Sequence, residues 1–512
     1  MKSFKKYLTF TNIFFVLILA IAFFLRFYNL TDNYMFQGDQ GRDALVVSNV
    51  FKNKDLVFIG PVTSIGNMYL GPFYYYFMLP FLFITYPNPV GPVYAIAALS
   101  VITVALIFMI TKKMFNLKMA ILATLFFALS HSTIQLARFS WNPNPAPFFS
   151  ILMFYFTYLA VKKSSRYWLL VSLMFSILVQ LHYVTLLSFL GATLIFLFEL
   201  IKKIKLKKSK QLIKNGILAI MIFLFSLTPL LLFDFKHNWP NALALKNIIT
   251  KEQSFDLERK KDRQGIQAIT KLFTVDFKRQ SKKVLFESSF GDLEINNYFF
   301  YCGLIFTFFY FIKKRKSFKF EEKLLFTYLL TGLFGLSLYQ HEVYTHYYAY
   351  LLPIVYIFYA WILSKIKPKS LNFLINFLFI IFFIYKNINL YHYETSGWSV
   401  NDMKMVAESI QERVDDKEKY NIVLLSESKD LYGMNYRYFL STMTNPPLNL
   451  EDHHQAEKLF IINEEKKESD LINLNIYEIL VFPEKNILET YQFNPGPEIT
   501  VLGKTETNYN KE

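Results

Sequence analysis

The chain has 512 residues, of which 53% are hydrophobic and 19% aromatic, with 56 Phe among them. A water-soluble fold cannot hide that much apolar surface, and repeated apolar runs of roughly 17–25 residues have the length of membrane spans. The formal charge of +16 does not mark a nucleic-acid binder, because much of the Lys and Arg falls in short clusters between apolar runs, as in loops that face anionic lipid; the single cysteine, Cys302, excludes an internal disulfide.

Lys2, Lys5 and Lys6 precede the first apolar run, 7–25, and place the N-terminus on the cytoplasmic side. The run lacks a small-residue cleavage site and is read as a retained span. A long outer loop follows at 29–90, carrying Asp39, Arg42 and Asp43 within five positions and then three turn signals, Gly60-Pro61, Gly66-Asn67 and Gly71-Pro72. On a helix Asp39 lies one turn from both Arg42 and Asp43. The apolar run 73–86 is too short to cross comfortably and is expected to lie at the interface. With that segment not crossing, the clusters at Lys112, Lys162, Lys202, Lys313 and Lys365 all fall inside, and about eleven spans satisfy the charge rule. The expected spans after the first are 91–110, 119–130, 146–161, two within 167–201, 217–233, 298–312, two around the loop 340–347, and 371–384. A second long outer loop, 235–297, is basic, but long segments translocate regardless of charge. From 391 to 512 the composition is that of a soluble domain. A helical pattern at 403–414 and β-rich runs at 421–425, 458–462 and 479–482 predict a small α/β domain outside the membrane. The fold class expected is an α-helical polytopic membrane protein, with domains 1–390 and 391–512.

This topology gathers unusual polar residues at the outer span ends. They are Asp39, Arg42 and Asp43; Arg138, Trp141, Asn142 and Asn144; His182; Asp234 and His237; and His341, Glu342, His346 and Tyr347. Ionisable residues near membrane depth are costly and usually functional. Each also has a plainer reading: His182 as an interfacial histidine, Asp234 as a span-end cap, Asn142 to Pro145 as a turn, and the 73–76 aromatics as an interface belt. The clustering favours a site. Metal spacing is weak, since His341 and His346 lack the i, i+4 register, and the phosphate-cradling glycine loops and the nucleophile elbow are missing. His453 and His454, beside Asp452, read as a solvated turn.

A first span, an outer loop with an acidic motif, a short aromatic surface helix after a proline and many further spans together resemble the GT-C superfamily of membrane glycosyltransferases. The nearest branch is that of the protein O-mannosyltransferases and lipid A aminoarabinose transferases (glycosyltransferase family 39-like). That branch's acidic motif, Asp-Glu followed by x-Arg-Tyr-Ala, is similar to Asp39-Gln40-Gly41-Arg42-Asp43-Ala44, and its Lys-Pro-Pro approach to the surface helix is similar to Leu70-Gly71-Pro72-Phe73-Tyr74-Tyr75. The resemblance implies a polyprenyl-phosphate sugar as donor and a lipid, glycan or protein as acceptor, joined at the outer face of the cell membrane. It implies Asp39 as catalytic base, with Asp43 its rival, and Arg42, Arg138 and His346 on the donor phosphate. Asn142, His182, Asp234, Glu342 and Tyr347 are then substrate-binding candidates. The sequence departs from the family pattern in three places: Gln40 replaces an acid, no lysine precedes Pro72, and Asn142 or Asn144 stands where a second acid is expected. A divalent metal is therefore possible but not required by the sequence, and Asp43, Asp234 or Glu342 is left as a substitute acid. The competing readings are a lipid or polysaccharide transporter or flippase, which would carry polar residues mid-span in paired halves, and a non-catalytic envelope assembly protein. The soluble tail is expected to modulate acceptor binding without entering the chemical step.

Overall fold

The computed structural model describes residues 9–63, 68–250, 270–291, 296–314, 317–339, 343–391, 398–427, 430–465, 470–483 and 485–504. They form two compact units. One comprises Met1–Tyr28, Val57–Tyr74 and Tyr94–His392; the other comprises Asn29–Leu56, Tyr75–Val93 and Tyr393–Glu512.

The first unit is helical. Among the described residues four helices are long and apolar enough to cross a membrane: Phe10–Phe27, Gly91–Met114, Tyr183–Lys205 and Lys369–Ile388. Two bent pairs, Leu117–Leu129 with His131–Ala137 and Lys210–Ser226 with Thr228–Lys236, bring the number to six if each is one span. Ala146–Lys162, Tyr167–Leu181 and Ala349–Lys365 are apolar but shorter, as is Phe73–Thr85, most of which belongs to the second unit. That last helix has 13 residues and an internal Pro80. At 1.5 Å per residue it is about 20 Å long, well short of a hydrocarbon core of about 30 Å.

The breaks have local causes. Pro229, in the first turn of Thr228–Lys236, has no N–H to continue the preceding helix, and the axis turns by 54° there. At Ser130 the axis turns by 58°, which frees carbonyls at the end of Leu117–Leu129. Arg26, fully buried at the end of the first helix, takes them up. Its Nη1 donates to Ala128 O at 3.0 Å and its Nη2 to Phe127 O at 3.3 Å, with Thr133 Oγ1 at 3.2 Å and Nε on Ser100 Oγ at 2.8 Å. A cation at a helix C-terminus is also favoured by the helix dipole. Arg26→Met keeps the bulk but orphans the Ala128 carbonyl, at about 1–3 kcal/mol, while the Phe127 carbonyl keeps the Thr133 hydroxyl at 2.6 Å. The purified variant is therefore expected to unfold at a clearly lower temperature in detergent, while Arg26→Lys loses less.

The second unit contains a four-stranded sheet in the order β1-β2-β4-β3, with β1 Tyr420–Leu425, β2 Lys458–Asn463, β3 Asn486–Gln492 and β4 Glu498–Gly503. β1 and β2 run parallel around the helix Met434–Leu440, whereas β4 is antiparallel to both β2 and β3. Val423, Leu459, Ile461 and Leu502 share one buried cluster with Ile479 and Phe482. The run 479–482, expected as a strand, is instead the end of a helical turn, Tyr477–Leu480; Ile479 and Phe482 stand three apart, which is helical spacing for one buried face. His453 is buried as well, not solvated, with Nδ1 at 2.7 Å from Asn421 Nδ2, while His454 is exposed.

The helix Gly38–Asn53 packs on Met434–Leu440 within this unit. Contact is so close that a Cβ on Gly41 would lie 2.4 Å from the Met434 carbonyl and the Asn435 nitrogen. The acidic motif is thus mounted on the helix that joins β1 to β2.

Candidate functional site

Gly38–Asn53 begins with Gln40 Oε1 accepting from the Gln37 backbone N–H at 3.1 Å, a helix-start contact that accounts for a polar, uncharged residue beside Asp39. The following turn carries the charges. Arg42 Nη1 donates to Asp39 Oδ1 at 2.8 Å, and Arg42 Nε and Nη2 donate to Asp43 Oδ1 at 3.0 and 2.8 Å. Tyr75, from the Phe73–Thr85 helix, adds its hydroxyl to Asp43 Oδ1 at 3.2 Å.

The two carboxylates differ in burial. The Asp43 side chain is fully buried, whereas that of Asp39 is 45% exposed. Burial pushes the Asp43 carboxyl up to about 6, although Arg42 pulls the other way, and its Oδ2 has no hydrogen-bond partner. For Arg42, burial opposes the charge but Asp43 and Asp39 outweigh it, so the guanidinium is held firmly cationic. Asp43 therefore anchors Arg42 from behind, and Asp39 presents the accessible carboxylate. Asp430 completes the group. Its carboxyl occupies the space a Cβ on Gly38 would take, and it accepts from the Met434 N–H at 2.8 Å. Burial raises its pKa, and Asp39 adds to the rise.

The helical unit holds a second cluster. The loop 57–74 folds back through Gly60 N–H to Leu70 O at 2.7 Å and a bridge between Val62 and Tyr69. Tyr69 N–H donates to Asn241 Oδ1 at 2.6 Å, and the Tyr183 hydroxyl donates to Tyr69 O. A Cβ on Gly71 would lie 2.4 Å from Gln180 Cγ, so only glycine allows this approach. Beside that turn the rings of His182, His346, Trp141 and Tyr347 converge. Centroids lie 5.8 Å apart for His182 and His346, 4.8 Å for His182 and Tyr347, and 4.3 Å for Trp141 and His346. Burial lowers His346 to about 4; burial and then His346 lower His182, in its turn between helices, to about 3. Both imidazoles are neutral at pH 7. They can donate hydrogen bonds to a substrate but supply no charge.

Other sequence candidates have structural engagements. Asn142 Nδ2 donates to Leu181 O at 2.5 Å, tying the loop after His131–Ala137 to the His182 turn. Arg138 Nη1 donates to Tyr28 O at 2.8 Å and Arg26 O at 3.3 Å at the end of the first helix. Asp234 caps Pro240–Thr250, accepting from the Asn241 and Ala242 N–H groups at 3.2 and 3.3 Å. His341 and Glu342 lie outside the described residues. Among the described residues no three His, Cys, Asp or Glu side chains converge as a metal site, and Arg42 sits between Asp39 and Asp43.

The family model for dolichyl-phosphate-mannose-protein mannosyltransferases matches residues 71–228. Superposition on apo ArnT from Cupriavidus metallidurans gives a TM-score of 0.57 over 95% of this chain and 97% of that one, at 10% identity. The fold is that of the GT-C membrane glycosyltransferases. The same GT-C architecture aligns with ArnT bound to undecaprenyl phosphate, with a TM-score of 0.55 at 11% identity over 97% of this chain and 99% of that one. The oligosaccharyltransferase of Archaeoglobus fulgidus, complexed with Zn and sulfate, aligns with a TM-score of 0.52 at 14% identity over 88% of this chain and 68% of that one. No curated protein sequence matches the chain.

Proposed function

We propose that the protein is a membrane glycosyltransferase that moves a sugar from a polyprenyl-phosphate donor to a lipid, glycan or protein acceptor at the outer face of the cytoplasmic membrane. The observation that carries this reading is a half-exposed carboxylate, Asp39, 2.8 Å from an arginine locked from behind by buried Asp43. In transfer, the acceptor oxygen bonds to the sugar C1 while the C1–O bond to phosphate breaks. The acceptor proton passes to the Asp39 carboxylate as general base, and the polyprenyl phosphate leaves with its charge held by the Arg42 guanidinium. Within the helical unit, neutral His346 is a candidate for the donor phosphate, and His182 and Tyr347 are candidates for substrate contact. Arg138 is a second candidate for the phosphate, and Asn142, Asp234 and Glu342 are candidates for substrate contact. Undecaprenyl phosphate bound to ArnT supports a lipid-linked donor.

The deciding assay offers purified protein a panel of polyprenyl-phosphate sugars with lipid and protein acceptors. No transfer or donor hydrolysis with any member would overturn the proposal. Within that assay, Arg42→Lys is expected to raise the donor KM about tenfold or more, because an ammonium cannot reproduce the fork that spans Asp39, Asp43 and a phosphate. Unchanged kinetics at limiting donor would remove Arg42 from the donor site. Outer-face action also requires the sheet-bearing unit to lie outside. In a Cys302→Ser background, a cysteine at exposed Lys404 is expected to react with an impermeant maleimide added to intact cells; labelling only after lysis would reverse the topology.

A further inference from the structure

Three helices of the membrane unit, Tyr167–Leu181, Phe189–Lys205 and Lys210–Ser226, enclose a groove of about 520 Å³. Its walls are apolar, with Phe175, Phe196, Ile217 and Phe223 among them. From Ile213 to Phe223 it follows ten residues of helix, about 15 Å, which is about the depth of one leaflet's hydrocarbon.

One end of this groove is polar in an unbalanced way. Trp168, in the first turn of its helix, is 4% exposed and packs on Phe196, and its indole N–H has no hydrogen-bond partner; farther along the groove, between the levels of Phe196 and Phe189, the Thr193 hydroxyl has none either. Ile213 and Ile217 are shared with a shallower recess of about 380 Å³ that is walled by Lys210 and Lys214. Lys202, Lys203, Lys205, Lys207 and Lys208 lie in the chain just before. The carboxylate at this end, Glu199, is engaged by Lys203 at 3.5 Å. An apolar slot one leaflet deep, opening at a cluster of cations and lined by orphaned donors, matches an amphiphile with an anionic head.

We propose that this groove is a binding site for an anionic phospholipid, with one acyl chain between the three helices and the phosphate at Lys210 and Lys214. The glycerol ester oxygens, next to the phosphate, supply the acceptor that Trp168 lacks. Asp39, Arg42, Asp43 and Tyr75 do not line the groove, so the lipid acts as a structural partner of the membrane unit and not as donor. A basic cluster at a span end attracts anionic headgroups by charge alone; the slot adds a place for the chain.

The test uses the full chain in mild detergent and phosphatidylglycerol or phosphatidylcholine carrying a brominated acyl chain. The readout is tryptophan fluorescence, with the Trp168 signal taken as the difference between wild type and Trp168→Phe. Brominated phosphatidylglycerol is expected to quench that signal at a concentration at least fivefold lower than the choline lipid. Lys210→Gln with Lys214→Gln should raise the half-quenching concentration at least fivefold and leave glycosyl transfer unchanged. A Cβ at Gly216 would lie 2.8 Å from Phe196 Cζ, so Gly216→Leu fills the slot and should abolish quenching. Should that variant fail to fold, the exposed lysine pair still decides. Equal quenching by both headgroups, or quenching indifferent to the lysines, would overturn the proposal. Displacement of the brominated lipid by equimolar undecaprenyl phosphate would also overturn it, by giving the groove to the donor.

Discussion

Asp39→Asn is expected to insert normally, bind donor with near wild-type affinity and turn over about 10²–10⁴ times more slowly, the usual loss with a general base. Asparagine keeps the size of the side chain and an acceptor for Arg42 Nη1, so the helix start stays intact while proton acceptance is lost. Asp43→Asn should behave differently. Asp43 is buried behind Arg42 and receives three donors on one oxygen, from Arg42 Nε and Nη2 and from Tyr75. The amide loses the charge that holds Arg42, so its expected signature is a raised donor KM with a smaller fall in kcat. The pH profile separates the two roles. With the Asp43 carboxyl lifted to about 6 by burial, it is ionised above that value and protonated below. Donor affinity should therefore fall as pH drops through about 6 and show no such limb in Asp43→Asn. If Asp39→Asn keeps near-normal kcat while Asp43→Asn is dead, the roles are exchanged.

Which parts of this arrangement could be read from sequence follows from the range of the interactions. Asp39, Arg42 and Asp43 are one helical turn, so their pairing follows from spacing alone, and the apolar runs announce most helices. Tyr75 on Asp43 and Asp430 beside Gly38 join positions tens to hundreds of residues apart, and no local pattern signals them. The role of Arg138 as a cap was equally hidden, because a polar residue at a span end looks the same whether it meets substrate or a helix terminus; for Asp234 a cap was one of two open readings, and the helix it caps is the one that follows, Pro240–Thr250. Arg26, at the end of the first apolar run, gives no local sign of its partners, which depend on the break at Ser130. In the sheet, β3 is almost wholly exposed and so lacks the apolar alternation by which strands are recognised, while β4 follows it as the buried partner.

The soluble layer was expected to influence only the acceptor, and the packing of Gly38–Asn53 on Met434–Leu440 changes that expectation. Asp39 and Arg42 ride on a helix whose register is set at Gly41, where the opposing backbone is close enough to exclude even a methyl group. Met434–Leu440 cannot yield easily, because Gly433 before it sits at φ 59° against Ile422 and Leu424 of β1. Gly41→Ala must therefore push the helices apart, at a cost of about 1–3 kcal/mol for overpacking. A shift of about 1 Å in a catalytic group can cost about 10²-fold in rate, so kcat should fall by that order even in protein that is still folded and membrane-inserted. Asn53→Ala, at the exposed end of the same helix, should be close to wild type. A chain ending at Tyr391 removes the opposing helix altogether and should lose acceptor-independent donor hydrolysis along with transfer. Wild-type kcat in Gly41→Ala, or full donor hydrolysis by the shortened chain, would show that Asp39 is positioned without the sheet-bearing layer.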